Sequence, residues 1–168
     1  MNSTQFLKKY NSVIFDNDGV IMDSNAAKTE AFAKALDGEG AELIDEFIKY
    51  HQTFGGISRF EKIKYFYSVI KNEKNYENSV KDTLQKYAYF SKKALLAADL
   101  LPGIEDFLKF LKNNNKSIFI ISGGDQSELI EVFQNRNLLQ YFTEVNGSPA
   151  SKSDILKKLV IDNKISFN

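Results

Sequence analysis

Two aspartates separated by one residue follow a short apolar stretch near the start of the chain. Residues 13–15 are Val-Ile-Phe, and Asp16, Asp18 and Gly19 come next, with one asparagine between the two acids. If the extended conformation continues, both acids point to the same side, and glycine allows a sharp turn beside them. Two such carboxylates can act as a nucleophile and a general acid/base, with a divalent cation easing their repulsion. A strand that simply ends in an Asp-Gly turn is the alternative.

Two later segments carry groups that suit a phosphate site. Ser122, Gly123 and Gly124 follow the apolar residues 118–121, so a hydroxyl and flexible backbone amides are expected where open α/β sheets bind ligands. Lys152 stands at the start of the last predicted helix, where it can balance the charge of two aspartates and a phosphate. An ordinary turn and a solvated surface lysine are the alternatives.

Alternating strand and helix patterns are expected to position these groups. Apolar runs predict strands over residues 12–16, 117–121 and 142–146, and the first two are hydrophobic almost throughout, as in a parallel sheet covered on both faces. Helical spacing predicts helices that start at residue 104 and span residues 126–137 and 154–161, and Asp125 with Glu128 resembles a capping box. The pattern therefore predicts an α/β fold.

The region between the first two strands is different, because it shows helical periodicity and no convincing strand. We expect an inserted helical domain over residues 25–98, and a core formed by residues 1–24 and 99–168. The predicted helices span residues 26–36, 41–53, 59–70 and 76–97. The aromatic stripe of Phe60, Phe66 and Tyr67 is assigned to packing rather than to ligand contact.

The composition excludes several classes of function. Equal numbers of basic and acidic residues, 22 each, and only two arginines disfavour nucleic acid and anionic membranes as partners. The chain has no cysteine, which removes thiol catalysis, and its single histidine cannot build a histidine-rich metal site. No apolar stretch approaches the roughly 20 residues that span a bilayer. We expect a cytoplasmic, soluble protein.

Three motifs together, in this order, resemble motifs one to three of the haloacid dehalogenase-like (HAD-like) hydrolases: Asp16-x-Asp18-Gly19-Val20, the apolar strand ending in Ser122-Gly123, and Pro149-x-x-Lys152. The resemblance extends over essentially the whole chain. It implies a Rossmann-like parallel sheet, and the helical insertion resembles the C1 cap of phosphoglycolate phosphatase and β-phosphoglucomutase.

The resemblance also implies a role for each matched residue. Asp16 is expected to attack phosphorus, to become an aspartyl-phosphate and to bind Mg²⁺, and Asp18 to protonate the leaving oxygen, to activate water and to bind the metal through its carbonyl. Ser122 and the Gly123 amide are expected to hold phosphoryl oxygens, and Lys152 to neutralise Asp16 and the phosphate. Removing one such fixed group typically costs on the order of 3 kcal/mol in the barrier.

One departure from the family pattern concerns the fourth motif. The acidic Gly-Asp segment that completes the family's magnesium site has no counterpart in these 168 residues. The expectation is therefore a truncated version of a longer enzyme that binds Mg²⁺ weakly, with an uncovered edge of the sheet at which a homodimer can form.

Substrate choice is expected to come from the helical insertion, where His51 and Arg59 flank a Gly55-Gly56 turn. Arg59 can pair with a substrate anion, or it can be a solvated surface residue or part of a salt bridge. His51 is more often a packed or exposed side chain than a catalytic one. The primary hypothesis is a magnesium-dependent phosphatase acting on a small phosphorylated metabolite, with a sugar phosphate favoured. A phosphomutase and an inactive phosphate-binding or regulatory module are the alternatives.

Overall fold

The computed structural model describes residue 5 and residues 9–165. The chain divides into two compact units: a sheet unit formed by the described residues up to Asp23 and from Asp99 onward, and a helical unit, Ser24–Ala98. The elements in chain order are β1 (Ser12–Phe15), α1 (Asn25–Ala35), α2 (Ala41–Thr53), α3 (Arg59–Tyr65), a π-helix (Phe66–Ile70), α4 (Glu77–Ala97), α5 (Ile104–Asn113), β2 (Ser117–Asp125), α6 (Gln126–Asn135), a 3₁₀-helix (Leu139–Tyr141), β3 (Glu144–Ser148) and α7 (Lys152–Ile161).

The sheet unit contains three parallel strands in the order β1-β2-β3. Phe15 pairs with Ile120, and Ile120 pairs with Val145, so the three carboxyl ends lie at the same edge of the sheet. The predicted α/β fold with a parallel sheet is confirmed. In the described part of the chain β2 is the central strand, and β1 and β3 are the two edges.

Four strand ends differ from the prediction, since β1 ends at Phe15 instead of residue 16 and β3 ends at Ser148 instead of residue 146. β2 continues to Asp125 instead of ending at Ile121, with a register shift between these two residues. β3 begins at Glu144 rather than at residue 142, because Phe142 still caps the 3₁₀-helix and its amide donates to the Leu139 carbonyl at 3.2 Å.

The core of the sheet unit forms where helices cover the strands. Phe119 and Ile121 of β2 pack with Ile155 and Leu159 of α7, and all four are buried. The Asp125 carboxylate accepts a hydrogen bond from the Glu128 amide at 3.0 Å, so the predicted N-terminal cap of α6 is confirmed. These contacts fix the helices that follow β2 and β3 at the carboxyl edge.

Aromatic rings build the core of the helical unit. Phe32 stacks on Tyr87 at 3.9 Å between centroids, and Phe47 meets Phe32 and Phe66 edge to face. The predicted packing role is therefore right for Phe66, which is fully buried, and wrong for Phe60, which is 39% exposed. The single helix predicted over residues 59–70 is α-helical only to Tyr65 and continues as a π-helix.

Within the residues that the structure describes, no helix is long and apolar enough to cross a membrane.

Candidate active site

Asp16 follows β1 directly, at the carboxyl edge of the sheet. Its Oδ1 accepts a hydrogen bond from the backbone amide of Asn17 at 2.8 Å, and its side chain is 38% exposed. Regular extension ends at Phe15 and the chain bends at Asn17, so strand alternation does not align Asp16 with Asp18 as predicted. Asp16 therefore presents a carboxylate that is oriented by the backbone and still open to solvent.

A tight turn follows the first aspartate. Gly19 has φ of +72°, a conformation that glycine adopts without strain, and its amide donates to the Met22 carbonyl at 2.8 Å. The Asn17 carbonyl accepts hydrogen bonds from the amides of Val20, Ile21 and Met22 at 2.9 to 3.2 Å. The sharp turn predicted from Gly19 is confirmed, and its hydrogen bonds hold the backbone on both sides of Asp18.

Lys152 reaches this turn from the far end of the chain. It is the first residue of α7, whose N-cap Ser151 accepts a hydrogen bond from the Asp154 amide at 3.1 Å. The Lys152 Nζ lies 2.5 Å from Asp16 Oδ2, although 136 positions separate the two residues. Both Asp16 oxygens are thus engaged, one by a backbone amide and one by an ammonium group that offsets its charge.

Ser122 and Gly123 lie in β2 and not in the turn that the sequence allowed as an alternative. The Ser122 side chain is fully buried, and its Oγ accepts a hydrogen bond from the Gly124 amide at 3.0 Å. A Cβ atom at Gly147 of β3 would come within 2.4 Å of the Gly124 carbonyl oxygen. Small residues on β2 and β3 therefore let the two strands approach closely at the edge where Asp16 stands.

The donors that suit a metal ion here are oxygen atoms of Asp16 and Asp18. Mg²⁺ prefers such hard oxygen ligands and is often held by one or two carboxylates together with water and substrate phosphate, so this donor set fits Mg²⁺ in kind. Among the described residues, no group of three or more His, Cys, Asp or Glu side chains is placed to hold a metal ion. A site built on these residues would rely on non-protein ligands for the rest of its coordination.

The structure places Arg59 and His51 in the helical unit. Arg59 is only 6% exposed, and its guanidinium lies 4.9 Å from the centre of the Tyr87 ring, so the interpretation as a surface arginine is wrong. His51 is a packed side chain: its Nδ1 lies 2.8 Å from Lys62 Nζ, its Nε2 lies 3.2 Å from Thr29 Oγ1, and its ring contacts Phe32.

Two residues of interest were missed at the sequence level. Asn17 contacts both neighbouring aspartates, and the signal available was a polar residue at the point where the apolar pattern of β1 predicts a buried side chain. Lys62 is 2% exposed and donates to the His51 carbonyl at 3.3 Å as well as contacting its ring. No sequence signal distinguishes it from the exposed Lys64 two residues on.

This chain is similar to known proteins in sequence and in fold. Residues 13–160 match the family described as haloacid dehalogenase-like hydrolase. A phosphorylated carbohydrates phosphatase from Thermotoga maritima is 24% identical over 133 residues, which cover 78% of this chain. The match spans 58% of the length of that relative.

Solved structures with the same fold include a predicted phosphatase from Clostridium acetobutylicum, with a TM-score of 0.71 and 21% identity over 94% of this chain and 72% of the other. A predicted phosphoglycolate phosphatase from Haemophilus somnus has a TM-score of 0.70 and 14% identity, over 93% of this chain and 72% of the other. At these identities the likeness concerns the fold.

Proposed function

The chain belongs to the haloacid dehalogenase-like hydrolases, and from that premise we propose that it is a phosphatase that transfers a phosphoryl group to Asp16 and then to water. The observation that supports this proposal is that both oxygens of the Asp16 carboxylate are held by hydrogen-bond donors. One oxygen is held by the Asn17 amide at 2.8 Å and the other by Lys152 Nζ at 2.5 Å. A carboxylate oriented in this way, beside a positive charge and open to solvent, suits attack on a phosphate ester.

The proposed reaction has two steps. An Asp16 oxygen forms a bond to phosphorus, the bond from phosphorus to the ester oxygen breaks, and Asp18 donates a proton to that leaving oxygen. Asp18 then accepts a proton from water, the water oxygen bonds to phosphorus, and the bond to Asp16 breaks to release phosphate. Lys152 offsets the negative charge of Asp16 and the phosphoryl group, while Ser122 and the Gly123 amide are proposed to contact phosphoryl oxygens.

Mg²⁺ is the proposed cofactor, held by a carboxylate oxygen of Asp16 and the carbonyl of Asp18. When bound, such an ion neutralises charge on the phosphoryl oxygens. The remaining steps depend on residues of this chain.

A phosphorylated carbohydrate is the proposed substrate class. The Thermotoga maritima relative carries that substrate in its name, and the helical unit supplies Arg59 and His51 as proposed substrate contacts. The planar guanidinium of Arg59 can bind a phosphate or carboxylate with two hydrogen bonds. Its burial against Tyr87 limits the number of orientations that it can adopt.

Phosphate release from a panel of sugar phosphates in the presence of MgCl₂ tests the proposal. We expect the unsubstituted protein to release phosphate from at least one sugar phosphate of the panel, and Asp16→Asn to release none. Asp16→Asn in the same assay is the control for contaminating phosphatases, because turnover by a contaminant does not depend on Asp16. Equal release by both proteins would contradict the proposed nucleophile.

A further inference from the structure

Asn17 is the residue between the two motif aspartates, and it is fully buried. Its backbone amide donates to Asp16 Oδ1 at 2.8 Å, and its side-chain Nδ2 donates to Asp18 Oδ1 at 3.0 Å. The same residue therefore contacts the carboxylates of both its neighbours. Its backbone carbonyl in addition holds the turn that follows, so its own position is tightly defined.

The direction of the side-chain hydrogen bond follows from the chemistry of the partners. In the structure the NH₂ group of Asn17 is the end that faces Asp18, with Nδ2 3.0 Å from Asp18 Oδ1. This orientation leaves Asn17 Oδ1 buried and without a hydrogen-bond partner in the described part of the chain. An unpaired buried acceptor is unfavourable for folding.

Stability alone does not explain an amide at this position. Leucine has the same branched side-chain skeleton as asparagine, with larger terminal groups; it carries no polar atom and continues the apolar pattern of β1 into the buried interior. The amide therefore opposes folding through Oδ1 while it restrains Asp18 through Nδ2. A residue that is unfavourable for the fold but well placed beside a reactive group indicates a functional role.

We propose that Asn17 is a positioning residue that holds the Asp18 carboxyl group in the orientation needed for proton transfer to the leaving oxygen. The inference rests on the proposed function, in which Asp18 is the general acid. Asn17 acts through Asp18 in this proposal and is given no contact with the substrate or the phosphoryl group.

Leaving-group dependence separates this role from a general structural one. A p-nitrophenyl ester leaves readily without a proton, whereas a sugar alkoxide requires one, so help from a general acid matters mainly for the sugar. For Asn17→Leu we expect kcat/KM to fall about 10- to 100-fold with a sugar phosphate and less than about 3-fold with p-nitrophenyl phosphate. The parameter kcat/KM is chosen because it reports phosphorylation of Asp16 and not the later hydrolysis.

Asn146→Leu is the matched control, because Asn146 Nδ2 is also buried without a hydrogen-bond partner among the described residues. This control is expected to change kcat/KM for both esters by the same factor. Cooperative thermal unfolding of both variants shows that each is folded, so a loss confined to the sugar phosphate in Asn17→Leu is not a loss of folded protein. Equal losses with both esters in Asn17→Leu, or no loss with either, would overturn the proposal.

A second measurement does not depend on turnover. In NMR spectra of the unmodified sequence, one side-chain amide proton of Asn17 is expected to exchange slowly with water and to shift upfield in Asp18→Ala, but not in the control Asp23→Ala. If Asp18→Ala leaves this signal unchanged, the contact is absent and the proposal fails. Absence of turnover by the wild type would instead contradict the proposed function, and the NMR result would then decide the role of Asn17.

Discussion

The charged groups proposed to act on the substrate differ in their surroundings between the two units. In the sheet unit, Asp16 and Lys152 are each more than a third exposed, and they offset each other's charge across 2.5 Å. In the helical unit, Arg59 and Lys62 are 6% and 2% exposed; the Arg59 guanidinium lies over the Tyr87 ring, and Lys62 Nζ contacts the His51 imidazole. Asp16 and Lys152 are thus accessible to solvent, whereas Arg59 and Lys62 are buried in contact with aromatic groups.

This difference has a consequence for stability. An ion pair that is partly exposed contributes about 0 to 1 kcal/mol to folding, so the sheet unit can lose its charges and stay folded. A buried side chain makes many packing contacts, and its removal leaves both a cavity and unpaired polar partners. Substitution of Asp16 or Lys152 is therefore expected to affect mainly activity, and substitution of Arg59 to affect activity and stability together.

Replacement of Asp16 is the strongest test of the comparison. Asp16→Asn removes the proposed nucleophile and keeps the side-chain volume, so kcat is expected to fall by at least about 10³-fold with little change in melting temperature. Steady-state phosphate release and thermal unfolding by circular dichroism measure the two effects. A large loss of stability would show that the accessible charges of the sheet unit also support its fold.

Loss of the Lys152 ammonium is expected to have the next largest effect. Lys152→Met keeps the length of the side chain and removes the charge opposite Asp16, so kcat is expected to fall about 10²- to 10³-fold. The free energy of unfolding is expected to change by less than about 1 kcal/mol, because the pair is partly exposed. Urea denaturation measures this change.

The exposed Lys157 on the same helix provides the control, since its nearest acid, Asp154 Oδ1, lies 3.8 Å away. Lys157→Met is expected to leave both kcat and the urea midpoint unchanged. If this variant lost activity to the same extent as Lys152→Met, the effect would belong to the helix as a whole and not to contact with Asp16.

Arg59 tests the helical unit. For Arg59→Ala we expect KM to rise about 10-fold through loss of a charged contact to the substrate, and stability to fall by about 1 to 3 kcal/mol through loss of packing on Tyr87. Lys64→Ala, on the exposed side of the same helix, is the control. A raised KM with unchanged stability would show that burial of Arg59 contributes nothing to the fold, and the comparison between the units would fail.

The sequence predicted those parts of the molecule that depend on local signals. The bounds of α2, Ala41–Thr53, and the Asp125 cap of α6 were right because periodicity and capping act within a few residues. The start of β3 was wrong because Phe142 caps a 3₁₀-helix that the apolar run did not reveal. The surface position allowed for Arg59 was wrong because its burial depends on Tyr87, which lies on another helix. The pairing of Asp16 with Lys152 was expected from the order of family motifs, since no local rule connects residues so far apart.

Substitution of Tyr67 is expected to have the smallest effect, and it tests how one buried hydroxyl group stabilises the helical unit. Its hydroxyl donates to Glu39 Oε1 at 2.7 Å and contacts Thr83 Oγ1 at 2.7 Å, and burial raises the pKa of Tyr67 to about 12. Because the folded state holds this proton more tightly than the unfolded chain does, with its pKa near 10, the contribution to stability is present below about pH 10 and is lost as pH rises towards 12.

Tyr67→Phe is expected to lower the free energy of unfolding by about 1 kcal/mol at pH 7. Between pH 10 and 12, the free energy of unfolding of this variant is expected to fall less with pH than that of the wild type. Tyr89→Phe, at an exposed tyrosine, is the control, and urea midpoints at pH 7, 10 and 11 measure both variants. If Tyr67→Phe lost stability at alkaline pH as steeply as the wild type, the loss would belong to other groups. Lys71 is one such group, because its hydrogen bonds to Glu39 and Glu73 raise its pKa.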